Sequence, residues 1–355
     1  MNRPPQLSVL VAALFLAAVP RASSAADPAL LGLADPASNF VIGVDVRALA
    51  ASPLAQEALV KAQTESSTWG QAMGALGPNP LSRIHEVIIS GDEKAARDQK
   101  KGLLVVRGDF GADDWISVVC GGGCEKQAYQ GHTLYLPPNV EGPGAFVRLD
   151  SNYVAWGTPD QVRGVIDRKT SGTGSSLAER VQGWSSSAGR HHVWVAAKGP
   201  FEMPKAAGSE SNLMGMSNIA NLDAFGLGLT LGDDLEVGIE MRSMSAAESV
   251  TLHQSLQGLL IMMSMSAQQD PDTAEVLRGL TISQSAQTVN ASLRVPGYLL
   301  KRMADKRAQR AANDTADWQM TPSQPAPRPR QPRQGVIRIE GLDNGPVVVE
   351  SEPQR

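Results

Sequence analysis

The two cysteines of this 355-residue chain, Cys120 and Cys124, enclose three glycines in the segment VCGGGCE. On a continuous helix, residues four apart share a face, and such a pair would suit a metal ion or redox chemistry. Each glycine destabilises a helix interior by about 1 kcal/mol relative to alanine, and glycine is common at helix ends. We therefore predict a helix that ends at Cys120, a strand that begins at Cys124, and a structural disulfide between them. Two free thiols, or a redox or metal role, are the alternatives.

Sulfur chemistry also raises the question of copper, because methionine and cysteine side chains suit Cu(I). A CxxxC pair with a distant histidine resembles exported copper-delivery proteins of the thioredoxin-like Sco class. The segment before Cys120 is helical in character, however, whereas that fold requires a strand leading into a helix. Methionine at helical spacing is also more often core filler than ligand. We predict no metal ligand and no cofactor, and keep a periplasmic copper-binding or other metal-binding protein as an alternative. The clustered methionines are Met214, Met216, Met241, Met244, Met262, Met263 and Met265.

Catalytic signatures are absent from the sequence. It contains no GxSxG, HExxH or phosphate-binding glycine loop. His191 and His192 are adjacent before a predicted strand, where alternation would point their rings to opposite faces. We predict no catalytic residue, with an exported hydrolase or redox enzyme lacking a linear motif as the alternative.

The first 25 residues have the composition of a secretory signal peptide. Arg3 precedes an apolar run from Leu7 to Val19, and small residues follow up to Ala25. The run is shorter than the roughly 20 residues that span a bilayer. We predict cleavage near Ala25, export to the periplasm or medium, and no transmembrane anchor in the mature chain. The compartments that receive exported proteins favour cysteine oxidation. A net charge of −4, with positive and negative residues interspersed, argues against nucleic-acid binding.

The remaining chain alternates predicted strands and amphipathic helices. The order strand, helix, strand pair, helix, strand pair, helix occurs loosely twice. We predict an α+β fold of two repeated lobes, residues 26–185 and 186–310, each an antiparallel sheet covered on one face by helices. One long helix, residues 246–267, is expected to turn Val250, Leu256, Leu259, Leu260 and Met263 towards the core.

The C-terminal part has a different composition. Residues 311–335 include PSQPAPRPRQPRQG, which predicts a disordered linker. Residues 336–355 contain two short β-rich runs on either side of an Asn-Gly turn. Two such strands are not stable alone in water, so this tail either adds to the chain's own sheet or binds a protein partner. The predicted partner-binding residues are Val336, Ile337, Ile339, Val347, Val348 and Val349.

Three stretches of the first lobe support a resemblance. Arg107 to Phe110 (RGDF), Tyr129 to Tyr135 (YQGHTLY) and Gly157 to Val162 (GTPDQV) resemble the RGxF, YxGxxLY and GTPxxV stretches of uncharacterised exported bacterial proteins. Those stretches are strand ends, a hairpin turn and a helix start, and the family has no established activity. The resemblance therefore implies a fold and no reaction. Together with the tail, it favours an exported non-enzymatic protein that binds a protein partner or an apolar ligand.

Overall fold

A computed structural model describes residues 27–56, 80–92, 102–111, 116, 120, 123–138, 144–201, 222–320, 337–339 and 347–349. The predicted signal peptide, the linker from residue 321 onward and most of the helix expected at 111–119 lie outside these residues. The chain divides into two compact units, Met1–Leu300 and Lys301–Arg355.

The first unit is built on one antiparallel sheet of twelve strands, in the order β11-β12-β10-β9-β8-β1-β2-β3-β7-β6-β5-β4. The strands are β1 (Phe40–Asp45), β2 (Ile84–Gly91), β3 (Leu103–Gly108), β4 (Glu125–Tyr129), β5 (His132–Leu136), β6 (Ala145–Arg148), β7 (Tyr153–Gly157), β8 (Val193–Lys198), β9 (Leu222–Leu231), β10 (Leu235–Ser243), β11 (Leu280–Ser285) and β12 (Thr288–Val295). The helices are α1 (Pro28–Leu33), α2 (Val46–Ala51), α3 (Pro80–Arg83), α4 (Pro159–Ser171), α5 (Leu177–Trp184), α6 (Ala246–Ser266), α7 (Pro271–Arg278) and α8 (Gly297–Met320).

The mixed α+β class and the antiparallel pairing agree with the sequence prediction, but the two expected sheets are one. Strand β8, which opens the second half of the chain, pairs with β1 from the first half, with Val41 opposite Ala196. The spatial order β1-β2-β3-β7-β6 on one side of this junction parallels β8-β9-β10-β12-β11 on the other, apart from β4 and β5, which extend the first side only. The prediction of a separate sheet in each half is therefore wrong, because the first strands of the two halves hydrogen-bond to each other.

Helices α1, α4 and α5 cover one face of the sheet and enclose the main core. Helix α4 begins at a reciprocal capping box between Thr158 and Gln161, and its side chains Val162, Val165 and Ile166 are fully buried. These side chains pack with strand residues such as Ile88 and Val105. The periodic apolar positions of α4 thus fix its orientation on the sheet.

A tryptophan ring packed over a glycine connects the two halves beneath these helices. The indole of Trp194 on β8 lies across Gly43 of β1, so that a Cβ atom placed on Gly43 would come 2.1 Å from Trp194 Cε2. Trp194 is almost completely buried. Glycine is required at position 43 because any side chain would occupy the volume of the ring.

The opposite face of the sheet carries α6. Ala224 and Phe225 are consecutive on β9 and therefore point to opposite faces. Ala224 belongs to the core under α1, α4 and α5, whereas Phe225 packs in a second cluster with Met241 and with Leu252 of α6. Helices therefore lie on both faces of the sheet, in contrast to the single covered face that was predicted.

The second unit, Lys301–Arg355, includes most of α8 and a separate two-stranded sheet. Strands β13 (Ile337–Ile339) and β14 (Val347–Val349) pair antiparallel with each other. The linker boundary at residue 311 is wrong, because α8 continues to Met320 through an alanine-rich segment that contains neither glycine nor proline. Among the described residues, none of the helices combines the length and the apolar character that a membrane span needs.

Candidate binding surface

Cys120 and Cys124 lie at disulfide-bonding distance, with Cα atoms 5.0 Å apart. Cys120 is helical, Cys124 directly precedes β4, and the Gly123 amide donates to the Cys120 carbonyl at 2.9 Å. This agrees with a local clamp between a helix end and a strand. A disulfide has no thiolate, which is the form of cysteine that binds a metal, so the copper alternative requires the reduced pair.

The predicted tail residues lie in the C-terminal hairpin, except for Val336, which is outside the described residues. Ile337 is opposite Val349, and Ile339 is opposite Val347. Among the described residues, these strands pair with each other, over three residues per strand. Partner binding by Ile337, Ile339, Val347, Val348 and Val349 remains a prediction.

Both adjacent histidines contact β9, although their positions in the sequence predicted opposite faces. His191 Nδ1 lies 2.9 Å from Thr230 Oγ1, and the Leu231 amide donates to His192 Nδ1 at 3.3 Å. Burial lowers the pKa of His191, with Arg190 adding to the effect. Across the described ranges, no group of three or more His, Cys, Asp or Glu side chains is placed to hold a metal ion.

A polar cluster that sequence reasoning missed lies at the ends of β2 and β3. His85 Nε2 is 3.0 Å from Asp109 Oδ2 and 2.6 Å from Arg47 Nη2. A carboxylate beside an imidazole can orient the ring for proton transfer. Within the described part of the chain, the side chains in polar contact with this ring are Arg47 and Asp109, and neither is a hydroxyl or thiol nucleophile. The three residues are far apart in sequence, so no linear pattern could have identified them.

A second polar cluster lies where the segment before α1 meets the sheet. Arg107 contacts Glu86 at 3.2 Å and Asp27 at 3.4 Å, and the Asp27 amide donates to Glu86. Burial raises the pKa of Glu86, and the Asp27 amide and Arg107 only partly oppose it. These contacts hold the segment before α1 against the sheet.

A cavity of about 460 Å³ lies at the far end of the sheet and is mainly polar. Burial raises the pKa of Asp150, which lines this cavity. Lys169, at 2.7 Å, and the backbone amides of Asn152 and Tyr153 outweigh that effect, so the pKa lies below its ordinary value. Those contacts stabilise the β6–β7 turn. The lining residues include Ile116, His132, Thr133, Tyr135, Arg148 and Asp150.

Helix α6 is positioned by its first turn and its inner face. Ser245 and Glu248 form a capping box, in which the Glu248 amide donates to Ser245 Oγ at 3.2 Å. The inner face carries Leu252 and Leu256, which pack on Met241 of β10 and Val289 of β12. Since α6 contacts β11 and β12 more than β10, it lies near the β11 edge of the sheet.

The outer face of α6 is also apolar, although it is exposed. Ile261, Met262 and Met265 are 62 %, 54 % and 67 % exposed. The expected inward positions were partly wrong, because Val250, Leu259 and Met263 are exposed as well. Periodicity could not separate the two faces, since apolar residues occur all around the C-terminal half. Exposed apolar clusters of this kind mark interaction sites in soluble proteins.

The edge strand beside α6 lacks the usual protection against strand addition. Strand β11 has the sequence LTISQS, with no charge and no proline, and it pairs regularly with β12 along its length. At the other end of the sheet, edge strand β4 carries Glu125 and Lys126. Charges and prolines are the common means of blocking an edge. The exposed apolar helix and the unprotected edge together form our candidate binding surface.

Comparison with known proteins gives no match for this chain among protein-family models, curated proteins or solved structures. The resemblance to exported bacterial proteins therefore stays a prediction.

Proposed function

We propose that this chain is an exported, non-enzymatic binding protein that holds a protein partner on the outer face of α6. The observation that carries the proposal is the exposure of Ile261, Met262 and Met265 on a helix whose inner face is already buried against the sheet. A helix that is apolar all around is normally buried on all sides. Methionine side chains adapt to irregular partner surfaces, which suits this role.

The shape of the surface favours a protein over a small apolar ligand. Small-molecule sites are concave and bury most of the ligand, with apolar walls. The outer face of α6 is convex, and the described cavity has mainly polar walls. A partner helix or strand can cover a convex apolar helix, whereas a small ligand would leave most of it exposed to solvent.

The C-terminal hairpin provides a second contact in this proposal. Its three-residue strands cannot bury enough surface to be stable alone. Addition to a strand edge of the partner would supply the missing hydrogen bonds. We also infer that the two halves of the chain are related lobes; the matching strand order on either side of the β1–β8 junction supports this.

Photo-crosslinking in cells that export the full chain tests the proposal. A benzophenone amino acid in place of Met265 should give a protein adduct on irradiation, because the side chain would lie within the partner interface. The matched control is the same replacement at Gln182, an exposed position of α5 on the other face of the sheet, which should give no such adduct. Absence of any protein adduct at Met265, or equal adducts at both positions, would refute the proposed surface.

A further inference from the structure

The outer face of α6 has features that identify its partner more closely, if the proposed function holds. We propose that the partner is a second copy of this chain, and that the two α6 helices pack antiparallel across a twofold axis. Their contact would centre near Gly258 and bury Val250, Ile261 and Met265 of each copy.

Charge is the first argument. Between Glu248 and Asp270 the chain contains no Asp, Glu, Lys or Arg. A charged partner surface placed here would lose its hydration without gaining an ion pair, which is costly. A second α6 brings an equally uncharged face, so the contact leaves no charge buried and unpaired. Interfaces between identical subunits are also more apolar than those between transient partners.

Sequence spacing is the second argument. In an antiparallel pair centred between Gln257 and Gly258, Val250 of one helix lies opposite Met265 of the other. The same centre places Gln254 opposite Ile261. Val250, Ile261 and Met265 therefore each meet an apolar residue or the aliphatic part of a glutamine. A twofold axis makes each of these contacts twice, as isologous interfaces do.

Backbone approach is the third argument. A Cβ atom added to Gly258 would meet nothing within 4 Å, so the space in front of this residue is open to a partner. Because glycine has no side chain, a second helix can come close at the crossing point. The larger Ile261 and Met265 side chains then pack on either side of that point.

Layer order is consistent with this contact. The inner residues Leu252 and Leu256 pack on the sheet, and Ile261 and Met265 lie roughly opposite them around the helix at 100° per residue. Two copies would form a sandwich of sheet, helix, helix and sheet. A contact limited to one helix per copy is small, so we expect a dissociation constant on the order of micromolar.

Sedimentation velocity of the purified full chain tests the proposal. The mass should rise from one to two chains with increasing concentration. Ile261→Asp should raise the dissociation constant by about a hundredfold or more, since each copy would place a carboxylate against apolar surface. Gln182→Asp adds the same charge to an exposed helix position on the other face of the sheet and should leave the dimer intact. Met265→Asp repeats the test at a second exposed position, and circular dichroism checks folding of each variant.

Three outcomes would overturn the inference. The chain could stay monomeric at every concentration, or the dimer could survive both α6 substitutions. The dimer could also be lost on truncation after Met320, which would identify the C-terminal tail as the occupant. The crosslinking result separates these failures from failure of the proposed function: an adduct at Met265 with a different protein keeps the function and rejects the second copy, whereas no adduct rejects both.

Discussion

Asp223 shows how a single carboxylate can connect neighbouring strands. It contacts Lys198 of β8, and Arg242 of β10 at 2.8 Å. The hydrogen bond from Lys198 lowers the pKa of Asp223; partial burial opposes this, and Arg242 adds to the lowering. A carboxyl group whose pKa is lowered in the folded state stabilises the protein at pH values above its unfolded pKa, 3.8. That contribution is lost as the pH falls through the folded pKa.

Asp223→Asn should therefore lower the free energy of unfolding by about 1–2 kcal/mol at pH 7. This is less than a fully buried charged hydrogen bond contributes, because the Asp223 side chain is a quarter exposed to solvent. The difference from the wild type should shrink as the pH falls below 3.8. Urea unfolding at neutral and acid pH measures it. Asp160→Asn is the control, since that carboxylate is 92 % exposed beside Arg163 and should contribute little. A difference that is independent of pH would contradict the assignment to the charge of Asp223.

The contact between Gly43 and Trp194 gives a second prediction at the scale of single residues. Gly43→Ala should lower the free energy of unfolding by about 1–3 kcal/mol, because the new methyl group would overlap a buried ring that has little room to move. Gly183→Ala is a matched control on α5, where a Cβ atom meets nothing within 4 Å. That change should be neutral or stabilising by up to about 1 kcal/mol. Chemical denaturation of both variants tests the pair, and unchanged stability of Gly43→Ala would show that Trp194 does not cover β1.

At the scale of elements, predictability depended on whether independent local signals agreed. The start and the inner face of helix α4 can be predicted from its sequence, because its capping residues, its proline and its apolar period all agree. Helix α6 was predicted in extent, since Ser245 and Glu248 mark its start. Its orientation was partly wrong, because apolar residues on both faces leave the period undefined. The short helices α1 and α2 were missed, since six residues are too few for a periodic signal.

For the candidate binding surface, too, part of the information is in the sequence and part is only in the fold. The absence of charge from residue 249 to 269 is visible in the sequence. Whether such a segment is core or surface depends on what covers it, and that is a property of the folded chain. The edge position of β11 could not be predicted from the sequence either, because strand order follows from pairings between residues far apart along the chain. Only the fold places an uncharged strand at an edge beside an exposed apolar helix.

At the scale of the whole molecule, the two halves that the sequence pattern separates are joined by hydrogen bonds. The alternation of strands and helices in the sequence indicates the α+β class, but it cannot specify that β1 pairs with β8. Through that pairing, the strands of both halves form one continuous sheet with two edges. The two ends differ: β4 is protected by charge, and β11 is not. The two edges of the sheet are therefore unlike in charge, which is consistent with the binding surface proposed beside β11.

Truncation after Met320 tests how the two compact units depend on each other. All twelve strands of the main sheet lie between Phe40 and Val295, and the hairpin of β13 and β14 pairs within itself. The shortened chain should therefore unfold at the same temperature as the full chain in calorimetry. It should also keep the α6-mediated dimer while losing any partner that the tail captures by strand addition. Replacing Val348 with lysine in the full chain is the matching control, because it changes the hairpin without removing it. A marked fall in the unfolding temperature on truncation would mean that the sheet depends on the tail for its stability, and the tail would then be part of the fold and unavailable to a partner.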